Sequence, residues 1–260
     1  MQLNLQDKRV VIAGGATGIG KSIALEFMRE GAKVAICGRT KSKLEHARAE
    51  FAQYGFALLT RVADVTDYDE LSSFADAVKS ENGGIDIWIN NAGSNQLKGL
   101  MDYGVDEFKH MVNTLFISVF SGSKIAALHM RPQKKGVIIN ASSFTALIPS
   151  AGSAPYSACK AAVSSLTRTF AAELAADNIR VLAYAPGMIA TDISQKNIEL
   201  NRQQLLSCIP MQRFGTPEDC AKMVVFLASD CASYVSGTQV EISGGKFCVQ
   251  NPLYAYEAEM

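Results

Sequence analysis

Seven short apolar runs rich in β-branched residues, at 9–13, 33–37, 56–62, 85–90, 136–141, 179–185 and 238–242, alternate along the chain with longer stretches of helical periodicity. Strands that read as continuous apolar runs are buried on both faces, and strand–helix alternation closes as a parallel sheet with right-handed crossovers. The expected fold class is therefore α/β: a doubly wound, seven-stranded parallel sheet with helices on both faces, in three α/β/α layers. Such sheets bind ligands beyond the carboxyl ends of their strands. No linker, repeat or low-complexity stretch interrupts the chain, so one domain over 1–260 is expected, with a lid at about 188–211.

Composition narrows the partners. With 25 basic against 25 acidic residues and 48% hydrophobic residues, the chain reads as a well-cored globular protein and offers no basic face for nucleic acid. Its largest basic cluster, Arg131, Lys134 and Lys135, reads as a solvated helix-to-strand loop. The six cysteines, at 37, 159, 208, 220, 231 and 248, and the three histidines, at 46, 110 and 129, show no ligand spacing, so neither a metal nor a disulfide framework is expected. The amino terminus lacks an apolar signal core, and no run approaches the ~20 apolar residues of a spanning helix. A reduced, cytoplasmic setting with no membrane contact is expected.

Two local patterns carry chemistry. The first run enters Ala13-Gly14-Gly15-Ala16-Thr17-Gly18-Ile19-Gly20 and then an amphipathic helix. Glycines there permit a tight turn and let a pyrophosphate approach Gly14, Thr17, Gly18, Ile19 and Gly20 at a helix amino terminus. At the end of the second run stands Gly38-Arg39-Thr40-Lys41, where an acidic residue would select NAD(H) through the ribose hydroxyls. A guanidinium there pairs with a 2′-phosphate, so NADP(H) is favoured over NAD(H). In the second pattern, Tyr156 and Lys160 stand four residues apart on one helix face. An ammonium about 4 Å from the phenol is worth on the order of 4 kcal/mol, or up to roughly 3 pKa units, which would bring the tyrosine near neutrality.

Together with Asp64 after the third run, Asn90-Asn91-Ala92-Gly93 after the fourth, Ser143 after the fifth, and Pro186-Gly187 with Thr191 after the sixth, these motifs resemble the short-chain dehydrogenases/reductases in their single-domain Rossmann-fold form. The resemblance spans nearly the whole chain. It implies Ser143, Tyr156 and Lys160 as the catalytic triad, with Tyr156 the acid, Ser143 holding the substrate oxygen and Lys160 supporting both tyrosine and nicotinamide ribose. Asp64 and Val65 would border the adenine, and Asn91, Ala92 and Gly93 would shape the cleft. Pro186, Gly187, Ile189 and Thr191 would hold the nicotinamide carboxamide. A homo-oligomer, tetramer or dimer, is also implied, and the apolar tail 250–260 could cover a neighbouring subunit.

Members of this family usually carry an asparagine in the long helix before the fifth strand, where it anchors a proton-relay water. Read in phase, Leu115 occupies that slot, and Asn113 lies two positions earlier, about 200° away on a regular helix. Either the helix is distorted or the relay takes another route; the triad is expected to act without the asparagine. Ala13 and Ser243 are two smaller departures from the family pattern.

The substrate is expected to be a small carbonyl or alcohol on an apolar or amphipathic skeleton, such as a 3-oxoacyl or steroid compound. Met188, Ile189, Ile193, Ile198, Leu205, Leu206 and Ile209 in the lid, with Leu147, Ile148 and Ala151, supply the apolar surface. The stretch Ala175-Ala-Asp-Asn178 lacks the basic residues that would receive an acidic carrier protein. An NADP(H)-dependent carbonyl reductase is the leading reading, ahead of an NAD-linked alcohol dehydrogenase working oxidatively and a noncatalytic nucleotide sensor.

Overall fold

The computed structural model describes residues 2–257. Strands β1 (Arg9–Ala13), β2 (Lys33–Gly38), β3 (Leu59–Val62), β4 (Ile87–Asn90), β5 (Gly136–Ala141), β6 (Ile179–Pro186) and β7 (Gln239–Ile242) form one sheet in the order β3-β2-β1-β4-β5-β6-β7. Every pairing is parallel. The order reverses beside β1, which pairs with β2 on one side and β4 on the other. That reversal opens a crevice beyond the strand ends.

Helices α1 (Gly18–Arg29), α2 (Lys41–Gln53), α3 (Tyr68–Asn82), α4 (Val105–Val112), α5 (Ser118–Met130), α6 (Ala154–Glu173), α7 (Asp192–Leu206), α8 (Pro217–Ala228) and α9 (Tyr254–Glu257) complete the layers. Alternation along β1 sorts them. Val10 and Ile12 pack with Phe27 of α1, Phe51 of α2 and Val224 of α8. Val11 and Ala13 pack on the opposite face with Phe74 of α3, Ile125 of α5 and Ala171 of α6. Phe27, Phe51 and Ile12 are fully buried, and truncating one such phenylalanine to alanine costs about 3–5 kcal/mol.

β3 begins at Leu59 rather than at 56. The Phe56 N–H instead donates to Phe51 O as the chain leaves α2 through Gly55, whose φ is 80°. The expectation that no run approaches a spanning helix is also corrected. α4, a π turn at Asn113–Ile117, α5 and a 3-10 turn form continuous helix over Val105–Gln133, with a window of mean hydropathy 1.4 that is 56% buried. Its apolarity serves the core, because α5 packs on β4 and β5.

Beneath the crevice, polar side chains lock β4 and β5 to α5 and α6. Asn90 Nδ2 donates to Asn140 Oδ1 (2.8 Å) and Ser123 Oγ (3.0 Å), while Asn140 Nδ2 donates to Thr167 Oγ1 (3.0 Å). Because every partner is satisfied, this buried network orients the strand ends instead of destabilising the core. Arg131 and Lys134 are not a freely solvated loop: both donate to the Asp177 carboxylate. Folding thus brings cations to the end of α6 from a different segment. In the tail, Tyr256 donates to Pro210 O of its own chain (2.9 Å); residues 258–260 of the expected subunit-covering segment lie outside the described residues.

Candidate active site

The crevice is a cavity of about 360 Å³. Its floor is tied together by Asn91, which donates from Nδ2 to Gly14 O (2.7 Å) and accepts at Oδ1 from the Tyr184 hydroxyl (2.5 Å). Three strand ends, those of β1, β4 and β6, are held by that one amide. Close approach explains the glycines of the turn: a Cβ on Gly20 would lie 2.1 Å from Gly14 O, and one on Gly14 would lie 2.7 Å from Ala92 N. Gly18, at φ 54°, opens toward Thr191. Thr17 caps α1 without a side-chain bond, and the first turn holds no acidic residue. Free amides, a cradle that a side chain would fill and a positive helix end together suit a pyrophosphate.

Most of the expected cofactor residues meet here. Gly14, Thr17, Gly18, Ile19, Arg39 and Asp64 line the cavity, as do Val65, Asn91, Ala92, Gly93, Pro186 and Thr191. Three do not. Gly20 supports the turn from below, Gly187 packs so closely against Ser243 that a Cβ on it would lie 2.7 Å from Ser243 Cα, and Ile189 is buried in a bridge to Gly215. Each sits one layer behind the wall, and sequence position alone does not separate wall from backing.

At the adenosine end, Arg39 is mostly exposed and its guanidinium lies 3.9 Å from Asp64 Oδ2. Burial works to raise the Asp64 pKa, but hydrogen bonds from Thr66 and the charges of Arg39 and His110 outweigh it, so the carboxylate sits below its usual range. Lys43, four residues after Arg39 on the first turn of α2, also lines the cavity. The sequence reading misses this second cation, although its spacing from Arg39 was the available signal.

At the other end, α6 presents Tyr156 and Lys160 one turn apart. The Lys160 ammonium is buried, donates to Ala141 O (2.6 Å) and lies 5.6 Å from the centre of the Tyr156 ring. The expectation of a tyrosine drawn down toward neutrality is not met. Burial raises the Tyr156 pKa, with the Ser143 hydrogen bond opposing, and the same burial pushes Lys160 down to about 8, with Cys159 opposing. Withdrawal from water penalises both charged forms, and the ammonium spends its hydrogen bond on a carbonyl. Ser143 lies behind the wall, 6% exposed, and its Oγ accepts from Thr145 N (3.1 Å) and Thr145 Oγ1 (3.0 Å). Ser142 has a structural role, bonding Lys160 O (3.2 Å) and Ser164 Oγ (3.0 Å).

The long helix is indeed distorted where the family asparagine is expected. In the π turn, the Ser118 N–H reaches back to Asn113 O. The distortion still leaves Asn113 exposed and Leu115 fully buried. A Cβ on Gly93 would lie 3.1 Å from Leu115 Cδ2 and 3.8 Å from Lys160 Nζ, so leucine and ammonium flank the same point. Thr114 lines the cavity, and its buried hydroxyl has no hydrogen-bond partner among the described residues. No sequence pattern marked it.

The apolar surface divides. Ile189, Ile198 and Ile209 turn inward and are buried, whereas Ile193 is exposed at the cavity wall and Leu147 and Ile148 stay accessible. Packing thus claims part of the residues that the sequence assigns to substrate.

A doubly wound sheet with a glycine turn at its switch point is a Rossmann α/β fold. A family model described as enoyl-(acyl carrier protein) reductase matches residues 14–246. The chain is 37% identical over 243 residues to a 3-oxoacyl-(acyl-carrier-protein) reductase of Thermotoga maritima, spanning 94% of this chain and 99% of that one. It is 35% identical over 246 residues to a 3alpha-hydroxysteroid dehydrogenase of Mediterraneibacter gnavus, spanning 94% and 98%. A crystal structure of a short-chain type dehydrogenase/reductase from Mycobacterium marinum matches with a TM-score of 0.91 at 34% identity, over 95% of this chain and 98% of that one. The chain belongs to the short-chain dehydrogenase/reductase family and is an oxidoreductase acting between a ketone and an alcohol.

Proposed function

We propose that this protein is an NADP(H)-dependent carbonyl reductase or alcohol dehydrogenase, working on an apolar or amphipathic ketone or secondary alcohol. The observation that carries the proposal is the buried Lys160 ammonium beside Tyr156 at one end of a cavity whose other end presents Arg39 and Lys43. When bound, the nicotinamide supplies or takes the hydride. Tyr156 gives its hydroxyl proton to the carbonyl oxygen. Ser143 accepts two hydrogen bonds from Thr145, so its own O–H, which faces Tyr156, would turn to donate to that oxygen. Lys160, in its cationic form, stabilises the charge that develops there.

Arg39 and Lys43 would hold the 2′-phosphate of the cofactor. A second reading, an NAD-linked dehydrogenase working oxidatively, is favoured by Asp64, whose carboxylate stands near the Arg39 guanidinium. The named substrates of the relatives, a 3-oxoacyl group and a hydroxysteroid, are both amphipathic, and the exposed Ile193, Leu147 and Ile148 suit such a skeleton. We read the chain as one cytoplasmic domain over 1–260 that forms a homo-oligomer, dimer or tetramer. The exposed Ile117, Phe120 and Leu128 on the long helix support association.

Following NADPH and NADH oxidation with a panel of ketones tests the proposal. Turnover is expected with NADPH in clear preference. Tight cofactor binding with no turnover of any ketone would overturn the enzymatic reading, and equal use of NADH would overturn the cofactor assignment.

A further inference from the structure

Lys246 is a buried cation that the reaction above does not use. It follows β7 in the segment Ser243-Gly244-Gly245-Lys246-Phe247 and is 8% exposed. Among the described residues no carboxylate lies within 4.0 Å of its ammonium. Its neighbours are aromatic: the ammonium stands 4.6 Å from the centre of the Phe144 ring and 5.3 Å from that of Phe247. The attraction of the ring faces offsets only part of what withdrawing an ion from water costs. Burial accordingly lowers the Lys246 pKa, with Cys208 acting in the opposite sense.

The backbone on both sides of Lys246 is bent into the left-handed region. Gly244 and Gly245 have φ of 65° and 80°, and Phe247, a bulky residue, is held at 53° in the left-handed region, which crowds its Cβ against the following carbonyl. Strain of this kind persists where the surroundings impose it and clusters at binding sites. The surroundings adjoin the active site without lining its cavity. Phe144 is the residue after Ser143, and Ser143 is the proposed oxygen holder. Ser243 backs Gly187, behind the cavity wall next to Pro186. Gly244 and Gly245 face Ile209, Met211 and Pro210 at the base of the lid segment, and the Phe247 N–H donates to Cys208 O (3.1 Å). The ammonium is thus held between the neighbour of Ser143 and the base of the lid segment.

We propose that Lys246 is a specificity-determining residue that binds a carboxylate carried by the substrate away from its reacting carbon. The inference rests on the proposed function and sharpens it: the substrate has an apolar body and an anionic end. A carboxylate supplies the charge-assisted hydrogen bonds that the ammonium lacks, while Phe144 and Phe247 accommodate the adjoining alkyl carbons. A neutral-ended analogue would cover the ammonium without pairing it, which is how a polar group in a binding site rejects the wrong ligand.

Calorimetric titration of decanoate and of methyl decanoate, each with excess NADP present, into wild type, Lys246→Met and Lys246→Arg tests the inference. Wild type should bind the carboxylate at least about tenfold tighter than the ester, equivalent to about 1.4 kcal/mol. Lys246→Met should lose that preference and Lys246→Arg should keep it. Equal affinities for acid and ester in wild type overturn the proposal, and this arm decides even where Lys246→Met fails to fold. An unchanged preference in folded Lys246→Met overturns it as well. These titrations need no turnover, so reduction of neutral ketones by wild type judges the proposed activity separately.

Discussion

Leu115→Asn places an amide beside the point that the Lys160 ammonium flanks and separates the parts of the site's electrostatics. Leu115 is fully buried and flanks the same point beside Gly93 as Lys160 Nζ. Lys160 donates to Ala141 O, and burial leaves its pKa at about 8. An added amide acceptor favours the charged form. A hydrogen bond to a charged group is worth about 1.5–3 kcal/mol, of which losing the leucine packing and desolvating the amide offset part. A net gain near 1.4 kcal/mol raises the lysine pKa by about one unit. The sign follows from the role of the cation: transition-state support is present below the lysine pKa and is lost as pH rises through it. Reduction by wild type should therefore decline above pH about 8, and in Leu115→Asn the limb should move up to about 9. Removing buried leucine surface should also cost about 2–3 kcal/mol, lowering Tm by roughly 5–10 °C in a chain of this size. The assay is kcat/KM for ketone reduction across the pH range, with thermal unfolding followed in parallel. A Tm that falls while the descending limb stays in place would refute the reasoning, because the side chain would then be buried there without touching the field at Lys160.

Arg39→Ala should raise KM for NADPH by about tenfold to a hundredfold, as expected for loss of one charge-assisted phosphate contact, and leave KM for NADH nearly unchanged; parallel loss with both cofactors contradicts phosphate pairing. In Gly20→Ala, the new methyl would sit 2.1 Å from Gly14 O and 2.4 Å from Asn91 Nδ2. Because neither the carbonyl nor the tied amide can yield freely, a stability loss of about 1–3 kcal/mol and weakened binding of both cofactors are expected, checked by urea unfolding and cofactor titration. Tyr184→Phe strips the hydroxyl from Asn91 Oδ1 at the cavity floor; unfolding should register about 1–2 kcal/mol of destabilisation, and wild-type stability would show that the contact contributes nothing.

The layer architecture was legible in the chain because strand burial is a local pattern. Val10, Val11, Ile12 and Ala13 must be apolar on both sides of a parallel strand, and that requirement is written in consecutive residues. The glycine turn and the Tyr156–Lys160 spacing were legible for a related reason: close backbone approach and one-turn adjacency are properties of short segments. What tertiary structure decided depends on groups far apart in the chain. Whether Gly187 and Ile189 form wall or backing is set by Ser243 and Gly215. The basic residues Arg131 and Lys134 are claimed by Asp177. The pKa balance between Tyr156 and Lys160 follows from desolvation, a quantity that sums over every packed neighbour and that no spacing encodes. Lys246 belongs to the same class: in the sequence it is one lysine near the carboxyl terminus, and only the packing of the segment after β7 against Phe144 and Phe247 makes it a buried residue.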